Sequence, residues 1–475
     1  MTLPPPLSEA IFDSLPVAAQ LHIRHLEAFA TQVSAQVADL TARMADLEVK
    51  LEQNSSNSSR PPSSDGPQHK RAVPRAKSQR RRGGQPGHSK HERVLLPPDQ
   101  TIDHKPPLCR RCGAPLDGDD PDPLIDQVIE LPEVMRHVTH HRRHTLVCPH
   151  CQARTTALAV PEAARGFGPK LQAATAYLSG VGRLGKRAIA SLVSDLCKIP
   201  MATGSVSNLE ARTSAAWHAI HDEATDHARG LDADADETDW KRGSKKAWLW
   251  VAVTHSMTAF LIRRHRNRAA FDDLVGPTPG VLTTDRFPVY THLAPDRRQV
   301  CWADLRRDFR AMIDRRDRGS GFGADLLMYA DILTDHWAKV RDGPHTRARF
   351  GREILPWLRE EVRRLLDAGS RCGCVKTAAV CRELLAIEVS LWTFASRPGV
   401  EPTNNAAERA VRHAVCWRKT SYGTDSERGS RFVERMLSVV ASCRSQGRDV
   451  MEFLRRAITP CQDQAARPSL LPEPA

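Results

Sequence analysis

The chain has 475 residues, which at about 150 residues per domain allows about three domains and at least one sizeable core. Its 69 Lys and Arg outnumber its 56 Asp and Glu, so the net charge is +13 and the isoelectric point is near 9.4. This excess favours a polyanionic partner such as nucleic acid. No stretch approaches the ~18 apolar residues of a membrane span and the first ten residues lack an export signal, so we expect a cytoplasmic protein with no membrane partner.

Residues 20–53 repeat apolar side chains at alternating intervals of three and four positions. No Pro or Gly interrupts the segment, and a period of 3.5 residues over four heptads predicts a coiled coil that joins copies of the chain into a homo-oligomer. The alternative is an amphipathic helix that docks on the core of its own chain. The repeating residues are Ile23, Leu26, Ala30, Val33, Val37, Leu40, Met44, Leu47 and Leu51.

Residues 54–100 are rich in Asn, Ser, Pro and basic side chains. Between Arg60 and Arg93 the segment has ten Lys or Arg and only two acids. Such a composition buries too little apolar surface to fold, so it predicts a basic, disordered linker. Its arginines, among them Arg80, Arg81 and Arg82, are candidates for contacts with DNA phosphates.

A module at 101–160 contains Cys109-x2-Cys112 and Cys148-x2-Cys151, with 35 residues between the two pairs. Reduced cysteines in a cytoplasmic chain favour a metal site over disulfides, and four thiolates are the tetrahedral set that structural Zn²⁺ prefers. With strands expected at 127–131 and 138–147, the pattern predicts a zinc ribbon. Two alternatives stay open: four reduced thiols without a metal, and His150 as a substitute ligand.

Residues 161–228 are helical in pattern, with helices expected at 186–197 and about 205–220. Polar residues on the second helix, such as Asn208 and Arg212, suit a helix that enters the major groove. The segment is therefore predicted to be a helix-turn-helix-like DNA-binding domain, with ordinary helical packing as the alternative.

Strand patterns mark residues 229–425. A hairpin, a third strand, a crossover helix and a fourth strand beside the first form the order of a ribonuclease H-like (RNase H-like) mixed sheet, so we predict an α/β multidomain protein with this catalytic core. Asp236 ends the first strand and Asp285 follows the fourth, which places both acids on neighbouring strands. The strands are expected at 231–236, 247–254, 260–262 and 281–284, and the helix at 268–275.

A third acid, Glu408, lies in the first turn of a helix that follows a helical insertion at about 305–400. Residues 426–475 are expected to form a C-terminal helical region and tail. Three carboxylates suit two Mg²⁺ (or Mn²⁺) ions about 3.5–4 Å apart, which stabilise the attacking and leaving oxygens of phosphodiester chemistry.

Each acid also has a structural alternative. Asp232 and Asp234 share a strand face with Asp236, so either is a candidate ligand or an edge charge that discourages sheet pairing. Asp285 fits a turn residue, and the spacing from Asn405 to Glu408 resembles a helix capping box.

Short motifs surround the three acids. They are Asp236-Glu237-Thr238 with Trp240, Trp248-Leu249-Trp250, Thr284-Asp285-Arg286 with Tyr290, Cys301-Trp302-Ala303, Asn404-Asn405 with Glu408-Arg409, and Arg418-Lys419 with Gly423. Together with the Asn/Ser-rich linker and the Gly83 to His88 motif, this combination resembles the transposases of the insertion sequence 66 family from about residue 20 to 460.

The resemblance implies a DDE-type transposase, a polynucleotidyl transferase whose catalytic and Mg²⁺-binding residues are Asp236, Asp285 and Glu408. It also implies that the protein binds the terminal inverted repeats of an insertion sequence and a target DNA, cleaves strands and joins them. Small accessory proteins of the same element are further expected partners. With DNA as its partner, the protein is expected to associate with the nucleoid.

One residue departs from the family pattern. Asp304 stands where the resemblance leads us to expect a histidine, three residues after Cys301. Asp304 is either an extra metal ligand or a sign of a catalytically impaired, DNA-binding protein derived from a mobile element. A nuclease that cuts without joining is a third interpretation that uses the same chemistry.

Basic residues follow Glu408 along the same helix. Arg409, Arg412, Arg418 and Lys419 are candidates for holding scissile-strand phosphates, with a salt-bridged surface as the alternative. Cys372, Cys374 and Cys381 are interpreted as helical core thiols rather than as a metal site.

Overall fold

The structure is a computed structural model that describes residues 9–51, 53–54, 57–58, 95–131, 136–159, 166–277, 280–459 and 467–472. Arg80, Arg81 and Arg82 of the predicted basic linker lie outside the described residues. In the part of the chain that is described, none of the helices combines the length and the apolar character needed to cross a bilayer.

The N-terminal segment is helical, as the heptad pattern predicts. A short helix α1 (Glu9–Asp13) precedes the 35-residue helix α2 (Val17–Leu51). Leu26, Leu40 and Leu47 of the apolar repeat each expose more than half of their surface. The repeat is thus not covered by the described residues of its own chain, and the coiled coil stays a prediction.

The predicted linker begins with a contact to the rest of the chain. The buried Asn57 donates a hydrogen bond from Nδ2 to Oδ2 of Asp314 at 2.9 Å, and its Oδ1 accepts one from the backbone N–H of Asn54 at 2.8 Å. The start of the predicted linker therefore contacts the rest of the chain through Asn57.

The cysteine module contains two short antiparallel strands, β1 (Thr145–Val147) and β2 (Arg154–Thr156). Residues 127–131 form no strand, and the strand expected at 138–147 forms only over its last three residues. The side chains of both strands are exposed, so no core stabilises a longer ladder. The zinc ribbon stays a prediction.

Four helices follow: α3 (Pro169–Gly180), α4 (Lys186–Cys197), α5 (Thr203–Ala216) and α6 (His218–Ala228). The single helix expected at about 205–220 is instead two helices that meet at Trp217. The Trp217 indole is fully buried and stacks on Phe432 with ring centroids 6.4 Å apart. Arg435 also donates from Nη1 to the Ser214 carbonyl at 2.7 Å, so α5 is attached to the C-terminal part of the chain.

The central sheet is mixed, with five strands in the order β5-β4-β3-β6-β7. β3 is antiparallel to β4, and β4 to β5, whereas β6 is parallel to β3 and β7 to β6. The predicted order of the first four strands is confirmed, but the first strand, expected at 231–236, runs over Ala233–Arg242, so Asp236 lies within it and not at its end. Its elements are β3 (Ala233–Arg242), β4 (Lys245–Val253), β5 (Thr258–Arg263), helix α7 (Arg268–Val275), β6 (Leu282–Thr284) and β7 (Arg298–Val300).

A helical insertion follows β7 and has a hydrophobic core of its own, which includes Leu326, Leu358 and Leu384. Its helices are α8 (Trp302–Asp314), α9 (Ser320–Arg341), α10 (Arg347–Glu353), α11 (Leu355–Ser370), α12 (Val375–Ala386) and α13 (Thr393–Ser396). These helices lie between residues 302 and 396, and the domain boundaries stay a prediction.

The last helices are α14 (Asn405–Ser421), α15 (Glu427–Ser445) and α16 (Val450–Ile458). Helices α14 and α15 cover one face of the sheet, where Leu249 and Val251 share a core with Val411 and Met436. Helix α7 packs on the opposite face, where Phe271 contacts Trp250. Because side chains alternate along a strand, neighbouring residues of β3 point into these two different layers.

Candidate active site

Three aspartates alternate around the start of β3, with Asp232 just before the strand and Asp234 and Asp236 within it, and they make different contacts. Asp232 accepts a hydrogen bond from the backbone N–H of Val281 at 2.8 Å and pairs with Arg397 at 3.1 Å. Burial raises the pKa of Asp234 to about 7, while hydrogen bonds from the Thr283 hydroxyl and the Ala406 backbone N–H act in the opposite direction. Asp232 thus joins β3 to the insertion, and Asp234 joins it to the start of α14.

Asp236 has an acidic environment. Burial raises its pKa well above the ordinary range, and the charges of Glu237, Asp285 and Glu408 raise it further. The charges of Asp285 and Glu408, the other two predicted acids, thus both act on Asp236. A carboxylate in such surroundings is stabilised by a cation.

Asp285 directly follows β6, and its backbone and side chain are both held. Its Oδ1 accepts a hydrogen bond from the backbone N–H of Phe287 at 2.9 Å, which is the turn role left open by the sequence. The buried Arg298 donates from Nη2 to the Asp285 carbonyl oxygen at 2.8 Å and from Nε to Thr284 Oγ1 at 3.1 Å. The turn contact uses one carboxylate oxygen.

Glu408 lies in the first turn of α14, as predicted. The helix begins after Asn404, whose side chain makes no capping hydrogen bond, and Asn405 is the first helical residue. The capping box between Asn405 and Glu408 is therefore absent. The Glu408 carboxylate is instead 3.5 Å from Nη2 of Arg307 on α8.

Asp304 lies beside this acidic group. Its side chain, 12% exposed, pairs through Oδ1 with the same Nη2 atom of Arg307 that contacts Glu408. Its Oδ2 is buried and has no hydrogen-bond partner among the described residues. Asp304 is thus connected to Glu408 through one arginine.

The basic residues of α14 fall into two groups. Arg418 is 16% exposed and donates to Thr238 Oγ1 at 3.2 Å while pairing with Asp239, so it attaches α14 to β3. Arg409, Arg412 and Lys419 are exposed.

A buried polar group on the other face of β3 was not predicted from the sequence. Glu237 is buried, and its carboxylate accepts hydrogen bonds from the Tyr290 hydroxyl and from Arg266. Burial, followed by the charge of Asp285, raises the pKa of Glu237, and burial likewise raises the pKa of Tyr290. A sequence signal existed, because an acid between Asp236 and Thr238 on an alternating strand points into the opposite layer.

The two cysteine pairs form matching local turns. The backbone N–H of residue 113 donates to the Cys109 carbonyl and that of Gln152 to the Cys148 carbonyl, both at 2.9 Å. Hydrogen bonds from backbone N–H groups, that of Arg111 first for Cys109 and that of Cys151 first for Cys148, lower the pKa of both thiols. A lowered thiol pKa favours the thiolate that binds metals.

In the described residues, no group of three or more His, Cys, Asp or Glu side chains is placed closely enough to hold a metal ion. The donor chemistry of the acidic group nevertheless suits Mg²⁺, because Asp236, Asp285 and Glu408 supply hard oxygen ligands whose mutual repulsion a cation relieves.

Comparison with known families decides the class of protein. The model of the transposase IS66 family matches residues 167–431, more than half of the chain. The chain belongs to this family. The matched IS66 region includes helices α3 to α14, the whole sheet and all three predicted acids.

The remaining comparisons carry less information. A family of unknown function, DUF6444, matches residues 4–94. The uncharacterized protein y4qI of Sinorhizobium fredii is 25% identical over 240 residues, which cover 45% of this chain and 43% of the relative. The chain thus matches less than half of that relative's length. Membership of the IS66 family supports a transposase-type enzyme.

Proposed function

We propose that the protein is a DNA transposase that binds the terminal inverted repeats of an insertion sequence and catalyses metal-dependent strand cleavage and strand transfer. The observation that carries the proposal is the match of the transposase IS66 family over residues 167–431, and the effect of Asp285 and Glu408 on the pKa of Asp236 supports it. The sheet order supports an RNase H-like catalytic core, in which acids from separate strands and a late helix meet at one edge.

Asp236, Asp285 and Glu408 would hold Mg²⁺ or Mn²⁺, which when bound stabilises the attacking and leaving oxygens of the phosphodiester. The chain's own residues orient the DNA. Arg307, which contacts Glu408, lies where a scissile phosphate would come close to the acids. The exposed Arg409, Arg412 and Lys419 extend this positive surface along α14, and Arg418 fixes the helix to β3.

The segments that precede the catalytic region bind DNA and join copies of the chain. The heptad helix at 20–53 joins copies of the chain, the basic segment at 54–100 holds phosphates, and the cysteine module at 101–160 binds structural Zn²⁺. In the helical region at 161–228, the exposed Asn208 and Arg212 of α5 would contact a DNA groove. Small accessory proteins of the element are proposed further partners.

A strand-transfer assay tests the proposal. The full chain is incubated with DNA ends from the flanking repeats, a supercoiled target and Mg²⁺ or Mn²⁺. Asp236→Asn, Asp285→Asn and Glu408→Gln keep side-chain size but remove the charge, so each should abolish cleavage and joining while repeat binding changes less than a few-fold. The control is Asp226→Asn, which changes an exposed aspartate of α6 that pairs with Arg229, and this variant should retain activity. Full joining by Glu408→Gln would show that the third acid is misassigned.

A second candidate function is a catalytically impaired DNA-binding protein. The pairing of Asp304 with Arg307, beside Glu408, favours this second function. The pair adds a further buried carboxylate near the three acids and neutralises the charge of an arginine that contacts Glu408. Asp304→His should raise joining several-fold if Asp304 only impairs the site, and should lower it if Asp304 is a metal ligand. If the parent and Asp304→His both bind DNA but neither cleaves nor joins it, the second function replaces the first. Cleavage without joining would indicate a nuclease.

A further inference from the structure

The sheet ladder does not by itself fix the separation of Asp236 and Asp285. Strands β3 and β6 pair at Ala233 with Leu282 and at Asp234 with Thr283. Asp236 and Asp285 each lie two residues beyond the last pair. Some other contact must hold these two chain segments at a constant distance.

Glu237 connects the two segments. Its backbone N–H donates to Oδ1 of Asp236 at 2.8 Å. Its side chain, 1% exposed, points to the opposite layer, where Oε2 accepts a hydrogen bond from the hydroxyl of the fully buried Tyr290. Tyr290 ends a 3₁₀ turn (Pro288–Tyr290) that closely follows Asp285. One residue thus contacts Asp236 directly and the Asp285 loop through its carboxylate.

Arg266 makes a second connection to the same loop. It donates from Nε to Oε1 of Glu237 at 2.8 Å. Its guanidinium carbon is 3.4 Å from the ring centroid of Phe287 and 4.8 Å from that of Trp248. Phe287 is the residue whose backbone N–H donates to Asp285 Oδ1. The Arg266 guanidinium therefore stacks on Phe287, the residue whose backbone N–H orients Asp285.

We propose that Glu237, Arg266 and Tyr290 are positioning residues that set the distance between Asp236 and Asp285 for binding a divalent cation. This inference rests on the proposed function. Glu237 is not itself a ligand, because Oε1 is bonded to Arg266 and Oε2 to Tyr290. Groups that orient metal ligands in this way change metal affinity without contacting the metal.

Mn²⁺ binding to the full-length chain without DNA tests the inference, with free Mn²⁺ measured by electron paramagnetic resonance. Tyr290→Phe removes one oxygen and Glu237→Gln removes one charge. Each should weaken Mn²⁺ binding by about 10-fold to 100-fold, the range for groups that orient metal ligands. Arg266→Lys keeps the positive charge but loses the planar guanidinium. Its affinity for Mn²⁺ should therefore lie between that of Arg266→Met and that of the parent.

Two matched controls separate positioning from general damage. Tyr329→Phe removes a hydroxyl that donates to Glu361 at 3.3 Å in the insertion. Glu434→Gln alters another buried glutamate, which pairs with Arg431 at 2.9 Å and accepts from a backbone N–H. Both should bind Mn²⁺ within two-fold of the parent, even though Glu434→Gln lowers stability.

The outcomes distinguish this inference from the proposed function. If Asp236→Asn loses Mn²⁺ binding while Tyr290→Phe and Glu237→Gln behave like the controls, positioning is wrong and the acidic site stands. If Asp236→Asn binds Mn²⁺ as tightly as the parent, the acids are not the metal site and the proposed function fails. Should Glu237→Gln not fold, as judged by circular dichroism, Tyr290→Phe alone decides the question.

Discussion

The acidic site and the cysteine module are both predicted metal centres, but they are built in opposite ways. Asp236, Asp285 and Glu408 come from distant parts of the chain, and the charges of Asp285 and Glu408 both raise the pKa of Asp236. Two hydrophobic cores pack on either side of the sheet that carries Asp236. Cys109 and Cys148 lie in local turns, and the described residues at 95–159 contribute no buried side chain to any core. The acids thus lie on a sheet with a core on each side, whereas the cysteine module has no core among its described residues, so we predict that the module depends more strongly on its metal for folding.

The largest expected effect is loss of zinc from the cysteine module. The full chain should carry about one Zn²⁺, and the double change of Cys109 and Cys148 to Ser should release it, since structural zinc contributes about 10–16 kcal/mol of apparent binding energy. Metal analysis and hydrogen exchange should show unfolding near residues 105–155 while residues 166–459 stay protected. Cys197→Ser on α4 is the control. Protein prepared without chelator and found to contain no zinc would contradict the prediction.

Substitutions of apolar residues test whether the sheet has a packed core that the cysteine module lacks. Phe271 is fully buried between Trp250 and Tyr290, so Phe271→Ala should lower the free energy of unfolding by about 3–5 kcal/mol. Leu124 in the cysteine module is 100% exposed, and Leu124→Ala should change it by less than about 0.5 kcal/mol. Denaturant titration followed by tryptophan fluorescence measures both. Equal losses would show that the cysteine module has a core of its own.

The exposed helix α2 extends the comparison to a segment that is predicted to pack against a second chain. A peptide of residues 21–53 should be helical and should associate, with helicity that rises with concentration. Leu40→Pro should abolish both properties, because proline inside a helix costs about 3 kcal/mol or more. Circular dichroism and sedimentation equilibrium provide the measurement. A helical peptide that stays monomeric would mean that the apolar repeat docks within the chain.

The smallest expected effect is a loss of folding stability at acidic pH, which arises from a buried histidine in the packed region. Burial lowers the pKa of His221, the nearby Arg435 acts in the same direction, and Asp222 opposes them. As the pH falls below about 6.5 the unfolded chain binds a proton that the folded state resists, so stability is lost by up to about 1.4 kcal/mol per pH unit. His221→Gln, which can still donate to the Phe260 carbonyl, should remove this contribution between about pH 6.5 and 5. An unchanged slope in His221→Gln would refute the assignment.

The sequence predicts the sheet because its strands carry strong local patterns. The apolar run at Trp248–Val253 predicts β4, and the acids in the strand patterns place Asp236 on β3 and Asp285 after the neighbouring β6. Strand β7 was not predicted, since Arg298-Gln299-Val300 has no apolar run and becomes a strand only by pairing with β6. Local pattern thus predicts elements that are apolar along their own length.

Site details that depend on distant contacts could not be predicted. The choice among Asp232, Asp234 and Asp236 depends on Arg397 and on the start of α14, both more than 160 residues away along the chain. The break between α5 and α6 likewise depends on the buried Trp217 indole and its contact with Phe432. Alternation along β3 gave these three aspartates the same face and so could not rank them.

The most direct test of the acidic site is the location of bound Mn²⁺. Crystals of the full chain soaked in Mn²⁺ should give an anomalous difference peak within bonding distance of Asp236 and Asp285, and the peak should disappear in Asp236→Asn. Glu408 should lie at the same site or turn toward it. A peak elsewhere in the protein, or one that persists unchanged in Asp236→Asn, would contradict the claim that packing gathers these acids into a metal-binding active site.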